Sequence, residues 1–500
     1  MVCKINSATI YGIEACIVAV EADIGDGLPS FDMVGLLSSE VKEARERVRT
    51  ALKNSGFLIP PKRITINLSP ADIRKAGTYF DLPIATSVLI GMGIICEETT
   101  KNCLFAGELG LDGCVAGVNG ILPIVLKAAE EGMKTCFIPE DNLFECKIVE
   151  RIEIVGVRDL LQLVYMLSTG EMQKNEQSKS IEKKEVKFLY DFRDVRGQTM
   201  ARRAAEITAA GMHNMLMIGS PGAGKTMIAK CLPSILPDMS VKERIEVAKI
   251  QSVAGLLDDG EEVSRPFRSP HYSSTISALT GGGTVPKPGE ITLAHKGVLF
   301  LDEFPEFSRK AVEILRQPLE EGFIMLSRTG GKYKFPADFI FLAASNPCKC
   351  GYYPDRNKCQ CTEYEVKKYM EKISGPIMDR IDLCVNIEPV RYEEITSNKK
   401  AESSAKIKER VETARCIQEE RYKKLEIDFN AQLDGRYIKD YCRLGKREEA
   451  VMEEAFHRFA FSVRSHNKII KVARTIADLE EEKDIKVIHL AEAMGYRIRV

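Results

Sequence analysis

The sequence carries almost no excess of charge of either sign: 71 lysines and arginines face 72 aspartates and glutamates, a formal net charge of −1. A chain so balanced is not drawn as a whole toward nucleic acid or a membrane surface. A local basic face, or a basic channel shared by several copies, remains compatible with it. Long apolar runs are also missing. The most apolar window, 82–96, is interrupted by Pro83, Thr86, Ser87, Gly91 and Gly93, and it falls short of the ~20 residues a spanning helix needs. The opening Met1-Val2-Cys3-Lys4-Ile5-Asn6 lacks the basic-then-apolar order of a secretory leader. No repeat of solenoid or propeller length is evident. The expectation is a cytoplasmic protein with no membrane segment, its cysteines reduced.

What is present suffices for large cores. Hydrophobic residues make up 44% of 500 positions, enough for about three domains of about 100–200 residues each. One stretch, 169–187 (TGEMQKNEQSKSIEKKEVK), has too little apolar surface to offset the entropy of ordering, and reads as a flexible charged linker. Before it, in 1–168, β-rich runs at 8–13, 15–20 and 63–68 alternate with helical periodicity at 39–55, 81–93 and 121–132, an α+β or α/β pattern. After it come a helix at 200–210, a strand at 215–218 and a glycine-rich turn into another helix. The reading is an α/β nucleotide-binding core over 188–391 and a helical lid over 392–500.

The turn is Gly219-Ser220-Pro221-Gly222-Ala223-Gly224-Lys225-Thr226, which fits G-x-x-x-x-G-K-[ST] without mismatch and lies between strand and helix. Glycines let backbone N–H groups turn inward around phosphates, and the helix N-terminus adds positive dipole. Lys225 is expected to reach the β- and γ-phosphates of ATP, and the Thr226 hydroxyl to ligate Mg²⁺. Downstream, the apolar run 297–301 ends in Asp302 and Glu303. Asp302 is expected to hold the Mg²⁺ and Glu303 to orient or deprotonate the attacking water. A second apolar run, 339–345, ends at Asn346, placed to position that water. Arg380, in 375–382, is the candidate arginine finger, with a local salt bridge to Asp379 or Asp382 as the competing role. Arg464 opens an amphipathic helix and is a candidate second sensor of the γ-phosphate.

Cys348, Cys350, Cys359 and Cys361 form two C-x-C pairs eight residues apart, in a segment kept as loop by Pro347, Gly351 and Pro354. Four thiolates from two tight turns make a closed tetrahedral site, the usual form of structural Zn²⁺. A [4Fe–4S] cluster takes the same ligands and unligated thiols are the third alternative, so all three stay open, with zinc the expectation. His271 and His295 are read as structural.

With these motifs the chain resembles the YifB/ComM family of magnesium-chelatase-like AAA+ ATPases along essentially its whole length. Family-typical stretches are Arg265-Pro266-Phe267-Arg268-Ser269-Pro270-His271-Tyr272-Ser273, 297–304, Arg316-Gln317-Pro318-Leu319-Glu320 and Ala473-Arg474-Thr475-Ile476-Ala477-Asp478-Leu479. The resemblance implies an AAA+ core with an insertion at about 265–294 and a β-hairpin at about 323–335. It implies hexameric rings in which the finger, and often the second sensor, act across the subunit interface. It also implies DNA as the client, with branch migration of recombination intermediates as the activity. The hairpin's Arg328, Lys332 and Lys334 suit phosphate contacts, and its Tyr333 suits base stacking. The N-terminal unit resembles the proteolytic domain of Lon (a ribosomal S5 domain-2-like fold). Asp81 and Leu122 stand where that family has its catalytic Ser and Lys, so a structural or partner-binding role is expected instead. Two other readings compete: a motor for metal insertion into a cofactor, as in magnesium chelatase, and a Lon-like protease.

Overall fold

The computed structural model describes residues 2–171, 188–259, 262–328, 331–390, 401–425, 427–459 and 461–497. Most of the expected linker and the 391/392 boundary lie outside those residues.

The N-terminal part is built on a seven-stranded sheet. Its strands are β1 (Val2–Tyr11), β2 (Glu14–Gly25), β3 (Ser30–Val34), β4 (Arg63–Ser69), β5 (Cys103–Phe105), β6 (Thr135–Pro139) and β7 (Glu153–Val157), in the order β3-β4-β2-β1-β5-β6-β7. The two runs expected at 8–13 and 15–20 are the adjoining ends of one long hairpin, β1–β2, which turns at Gly12-Ile13. Helix α1 (Ser39–Asn54) buries Val41, Ala44, Val48, Ala51 and Leu52, a stripe at three- and four-residue spacing. Helix α2 (Asp81–Gly91) is apolar all round and almost wholly buried, as such a helix must be. Helix α3 (Ile121–Glu130) packs against the next domain, and helix α4 (Leu160–Thr169) follows β7.

That domain holds a five-stranded parallel sheet: β8 (Met215–Gly219), β9 (Phe267–Arg268), β10 (Val298–Leu301), β13 (Ile340–Ser345) and β14 (Leu383–Ile387), ordered β9-β10-β13-β8-β14. Every residue of β8, β10 and β13 is buried, as continuous apolar runs covered on both faces should be. Helices α5 (Thr199–Gly211), α6 (Lys225–Cys231) and α7 (Val241–Ala254) belong to this domain. A separate hairpin, β11 (Phe323–Arg328) and β12 (Gly331–Pro336), projects ahead of β13. The C-terminal region is helical, with its longest helices at Ser404–Tyr422 and Val463–Leu479, and it shares one apolar core with α5 and the sheet.

Candidate functional site

Parallel strands place their carboxyl ends together, and that edge is where ligands bind in open α/β sheets. Here Leu301 pairs with Ala343, and Ser345 with Ile218. The residues that follow, Asp302, Asn346 and the loop from Gly219, therefore meet at one edge.

Within the loop Gly222 and Gly224 take φ of 77° and 97°, which a side chain would strain. Lys225 is buried and its ammonium donates to Gly219 O at 2.6 Å, Ser220 O at 3.0 Å and Asn346 Oδ1 at 3.1 Å. Burial lowers its pKa, opposed by the charges of Asp302 and Glu303. Thr226 Oγ1 donates to Asp302 Oδ2 at 2.8 Å. A hydroxyl beside a carboxylate at a helix start is a pair of hard oxygens, the donor chemistry of Mg²⁺. Glu303 sits in the left-handed region, φ 50° and ψ 43°, with its N–H on Asp302 Oδ1 at 2.9 Å. Such a conformation costs a glutamate on the order of 1 kcal/mol and marks functional positions.

One contributor had no signal in the sequence. Gln198, also left-handed at φ 54°, donates from Nε2 to Ala223 O at 3.2 Å and Glu388 O at 2.6 Å, tying the phosphate loop to the end of β14.

The four cysteines lie just beyond Asn346, their sulfurs all within 4.8 Å of one another. Cys348 Sγ is 3.3 Å from Cys350 Sγ and 3.8 Å from Cys359 Sγ. Tetrahedral thiolates around zinc stand about 3.8 Å apart at ~2.3 Å metal–sulfur bonds, so the cluster fits a Zn²⁺. The Cys350 thiol is lowered to about 6 by the Tyr352 backbone N–H and the Cys348 thiol.

Arg380 and Arg464 are brought together, but not with the phosphate loop. Both line a cavity of about 820 Å³ with Glu320, Asp379, Asp382, Lys468 and Lys471, and no residue of 219–226 lines it. Arg380 is paired with Glu320, the last residue of the 316–320 motif, and donates to Pro376 O at 2.6 Å. The local pairing expected with Asp379 or Asp382 is thus with neither. Asp379 lies 3.8 Å from Arg464, and Asp382 holds Lys468 at 3.0 Å.

The hairpin corrects the sequence reading. Pairing of Ser327 with Lys332, Leu326 with Tyr333 and Met325 with Lys334 puts the two lysines on one exposed face. Tyr333 points the other way and is 4% exposed, stacked on Tyr11, so it is unavailable for bases. Arg328 pairs with Gly331 and shares the Tyr333 side of the ribbon, apart from the lysines.

In the N-terminal part, Asp81 is buried and chelated by Arg47 at 2.7 and 3.0 Å, and accepts from Leu109 N at 3.2 Å. Leu122 is fully buried. These are structural roles.

Family models of magnesium chelatase subunit ChlI match residues 191–395, with further ChlI models matching 20–142 and 401–497. Competence protein ComM of Haemophilus influenzae is 40% identical, over 99% of this chain and 97% of that protein. The YifB protein of Escherichia coli is 41% identical over 99% of this chain and 96% of its own length. The chain belongs to the YifB/ComM family of magnesium-chelatase-like proteins. It is an AAA+ ATPase of that type, using ATP and Mg²⁺. The chloroplastic ChlI subunit of Glycine max is more distant, 24% identical over 39% of this chain. Family-typical residues outside the nucleotide edge resolve into buried ion pairs: Arg265 with Glu243 at 3.1 Å, and Arg474 with Asp478 at 3.0 Å. Among the described residues no helix is long and apolar enough to cross a membrane.

Proposed function

We propose that this ATPase is a ring motor working on DNA, a helicase-like enzyme that drives branch migration of recombination intermediates. The observation that carries the DNA reading is the two-faced hairpin, whose seated side leaves Lys332 and Lys334 side by side in solvent. Two ammonium groups on a rigid ribbon suit phosphate contacts. A competence protein related over the full length favours DNA as client. The ChlI family models favour, as second reading, a motor for metal insertion or protein remodelling.

The ring reading rests on the two arginines. Arg380 and Arg464 line a cavity apart from the chain's own phosphate loop. A homo-hexamer in which each subunit offers them to its neighbour's loop gives them a transition-state role. In that arrangement water attacks the γ-phosphoryl group of ATP, the bond to the β-phosphate oxygen breaks, and Glu303 takes the water's proton. Lys225 holds the phosphates. With its Oδ1 engaged by Lys225, Asn346 has its amide N–H groups for the water. Thr226 and Asp302 would hold the Mg²⁺, which would supply neutralisation of charge on the β- and γ-phosphates. The Cys₄ cluster is read as a structural Zn²⁺ site.

The test is the ATPase rate of purified protein with and without single-stranded and four-way-junction DNA, with Glu303→Gln as control. Stimulation that vanishes in the control is expected. Hydrolysis indifferent to DNA even at low salt, where phosphate contacts are strongest, would turn the search toward metallocofactor or protein clients.

A further inference from the structure

The hairpin does not stand on the ATPase domain alone. Its inner face is closed by the N-terminal domain, through the turn between β1 and β2. The Tyr11 and Tyr333 rings stack with centroids 4.4 Å apart and 26° between planes. Tyr11 Oη donates to Lys332 O at 2.9 Å. Ile13 joins Tyr333 and Phe335 of the hairpin and Ile250 of α7 in one apolar cluster, with Leu326 packed against it. Gly331 has φ 135°, and a Cβ there would run into the Tyr11 hydroxyl, so the approach depends on glycine.

The strand residues just before Tyr11 are held from behind. The Tyr79 hydroxyl accepts from Ile10 N at 3.0 Å and lies 3.2 Å from Thr9 Oγ1. Tyr79 is buried within the N-terminal core. A second set of bonds grips α7 and the residues after it. Lys249 meets Glu14 at 2.5 Å, Gly120 N donates to Ser252 O at 3.0 Å, and Ser252 Oγ donates to Glu145 at 2.5 Å. Lys147 and Asp259 add a pair at 3.4 Å. The domain thus touches both the hairpin and the helix beside it, with apolar burial at the centre and ion pairs at the edge, as in a fixed interface.

From this geometry we infer that the N-terminal domain is the positioning element of the hairpin: Tyr11 fixes the strand carrying Lys332 and Lys334, and the ribbon moves as one body with that domain. The inference rests on the DNA reading for what the lysines touch, but not for the anchoring. It assigns work to a domain whose Asp81 and Leu122 are structural. A free two-stranded ribbon is marginally stable in water, so the N-terminal domain supplies the packing that keeps the two lysines aimed. Tyr11 acts through Lys332 and is not itself a DNA contact.

The experiment compares full-length wild type, Tyr11→Phe and Tyr11→Ala, with melting curves to confirm that each variant is folded. Backbone hydrogen exchange over residues 331–335 reads the anchor. Loss of the hydroxyl bond should speed exchange about fivefold in Tyr11→Phe, and loss of the ring as well should take Tyr11→Ala beyond about tenfold. Anisotropy with a fluorescent single-stranded oligonucleotide reads the positioning. Affinity should fall at least about threefold in Tyr11→Ala, while ATPase activity without DNA is unchanged. Unaltered exchange would overturn the anchor. Faster exchange with undiminished oligonucleotide affinity would overturn the positioning role. If exchange rises and wild type binds no oligonucleotide, the anchor holds and the DNA reading falls.

Discussion

Gly351, inside the cysteine cluster, rests directly on Pro221 of the phosphate loop: a Cβ at Gly351 would stand 2.7 Å from Pro221 Cδ. The turn that brings Cys348 and Cys350 together is therefore also a wall of the nucleotide site, and Asn346 reaches Lys225 from its root.

Replacing Gly351 with alanine forces a side chain onto φ 88° and into Pro221. A cost of about 1–2 kcal/mol is expected, with several-fold weaker binding of a fluorescent ATP analogue. Metal analysis should find one zinc per chain. Stripping it, or Cys348→Ser, should lower both melting temperature and nucleotide affinity. Full nucleotide affinity in the stripped protein would show the brace to be idle.

The left-handed backbone at Glu303 separates stability from activity. Glu303→Gln should bind nucleotide normally and hydrolyse it at least about 10²-fold more slowly. Glu303→Gly should be equally inactive yet more stable by up to about 1 kcal/mol, since glycine takes φ 50° without strain. Urea unfolding of the three proteins decides it. A glycine variant less stable than wild type would mean that the carboxylate makes contacts outweighing its backbone cost.

Arg380→Ala should retain nucleotide binding and lose about 10³-fold in turnover if the residue is a finger. Mixed with Glu303→Gln subunits, it should regain activity, because about a quarter of randomly formed interfaces then pair an intact Glu303 with an intact Arg380. No recovery at any mixing ratio would place the arginine outside a shared site.

Asp382 and Lys468 give a pH test. Burial works to raise the Asp382 carboxyl, but Lys468 and His213 outweigh it and hold the group well below the usual carboxylate range. A depressed carboxylate contributes stability that is full above its unfolded value of about 3.9 and is lost as pH falls toward its folded value. Asp382→Asn should cost on the order of 3 kcal/mol at pH 7, since Lys468 loses its partner. The difference from wild type should narrow below about pH 4. Chemical denaturation at pH 7, 5 and 3.5 measures it, and a constant difference would show that Asp382 is not ionised in the fold.

The nucleotide edge was legible because its determinants are local. A glycine-lysine loop between a strand and a helix, and two apolar runs ending in Asp302 and Asn346, are contiguous patterns, and parallel pairing aligns their ends. The cysteine pairs were legible for the same reason. The hairpin's faces were not. Whether Tyr333 meets solvent or a neighbour depends on what covers the ribbon, and its cover comes from Tyr11, more than three hundred residues earlier in the chain. Gln198 was equally silent, since its value lies in two backbone carbonyls that only the folded sheet brings near.

By itself, then, the sequence determined the chemistry: phosphate loop, acidic pair and thiolate cluster, each set by residues within about a dozen positions of one another. Tertiary structure alone decided the partnerships. It set Arg380 on Glu320 away from its own loop, Gly351 against Pro221, and the N-terminal turn beneath the hairpin. Contacts of that kind form where separate apolar faces must be buried together, and no short-range pattern of side chains records which faces will meet.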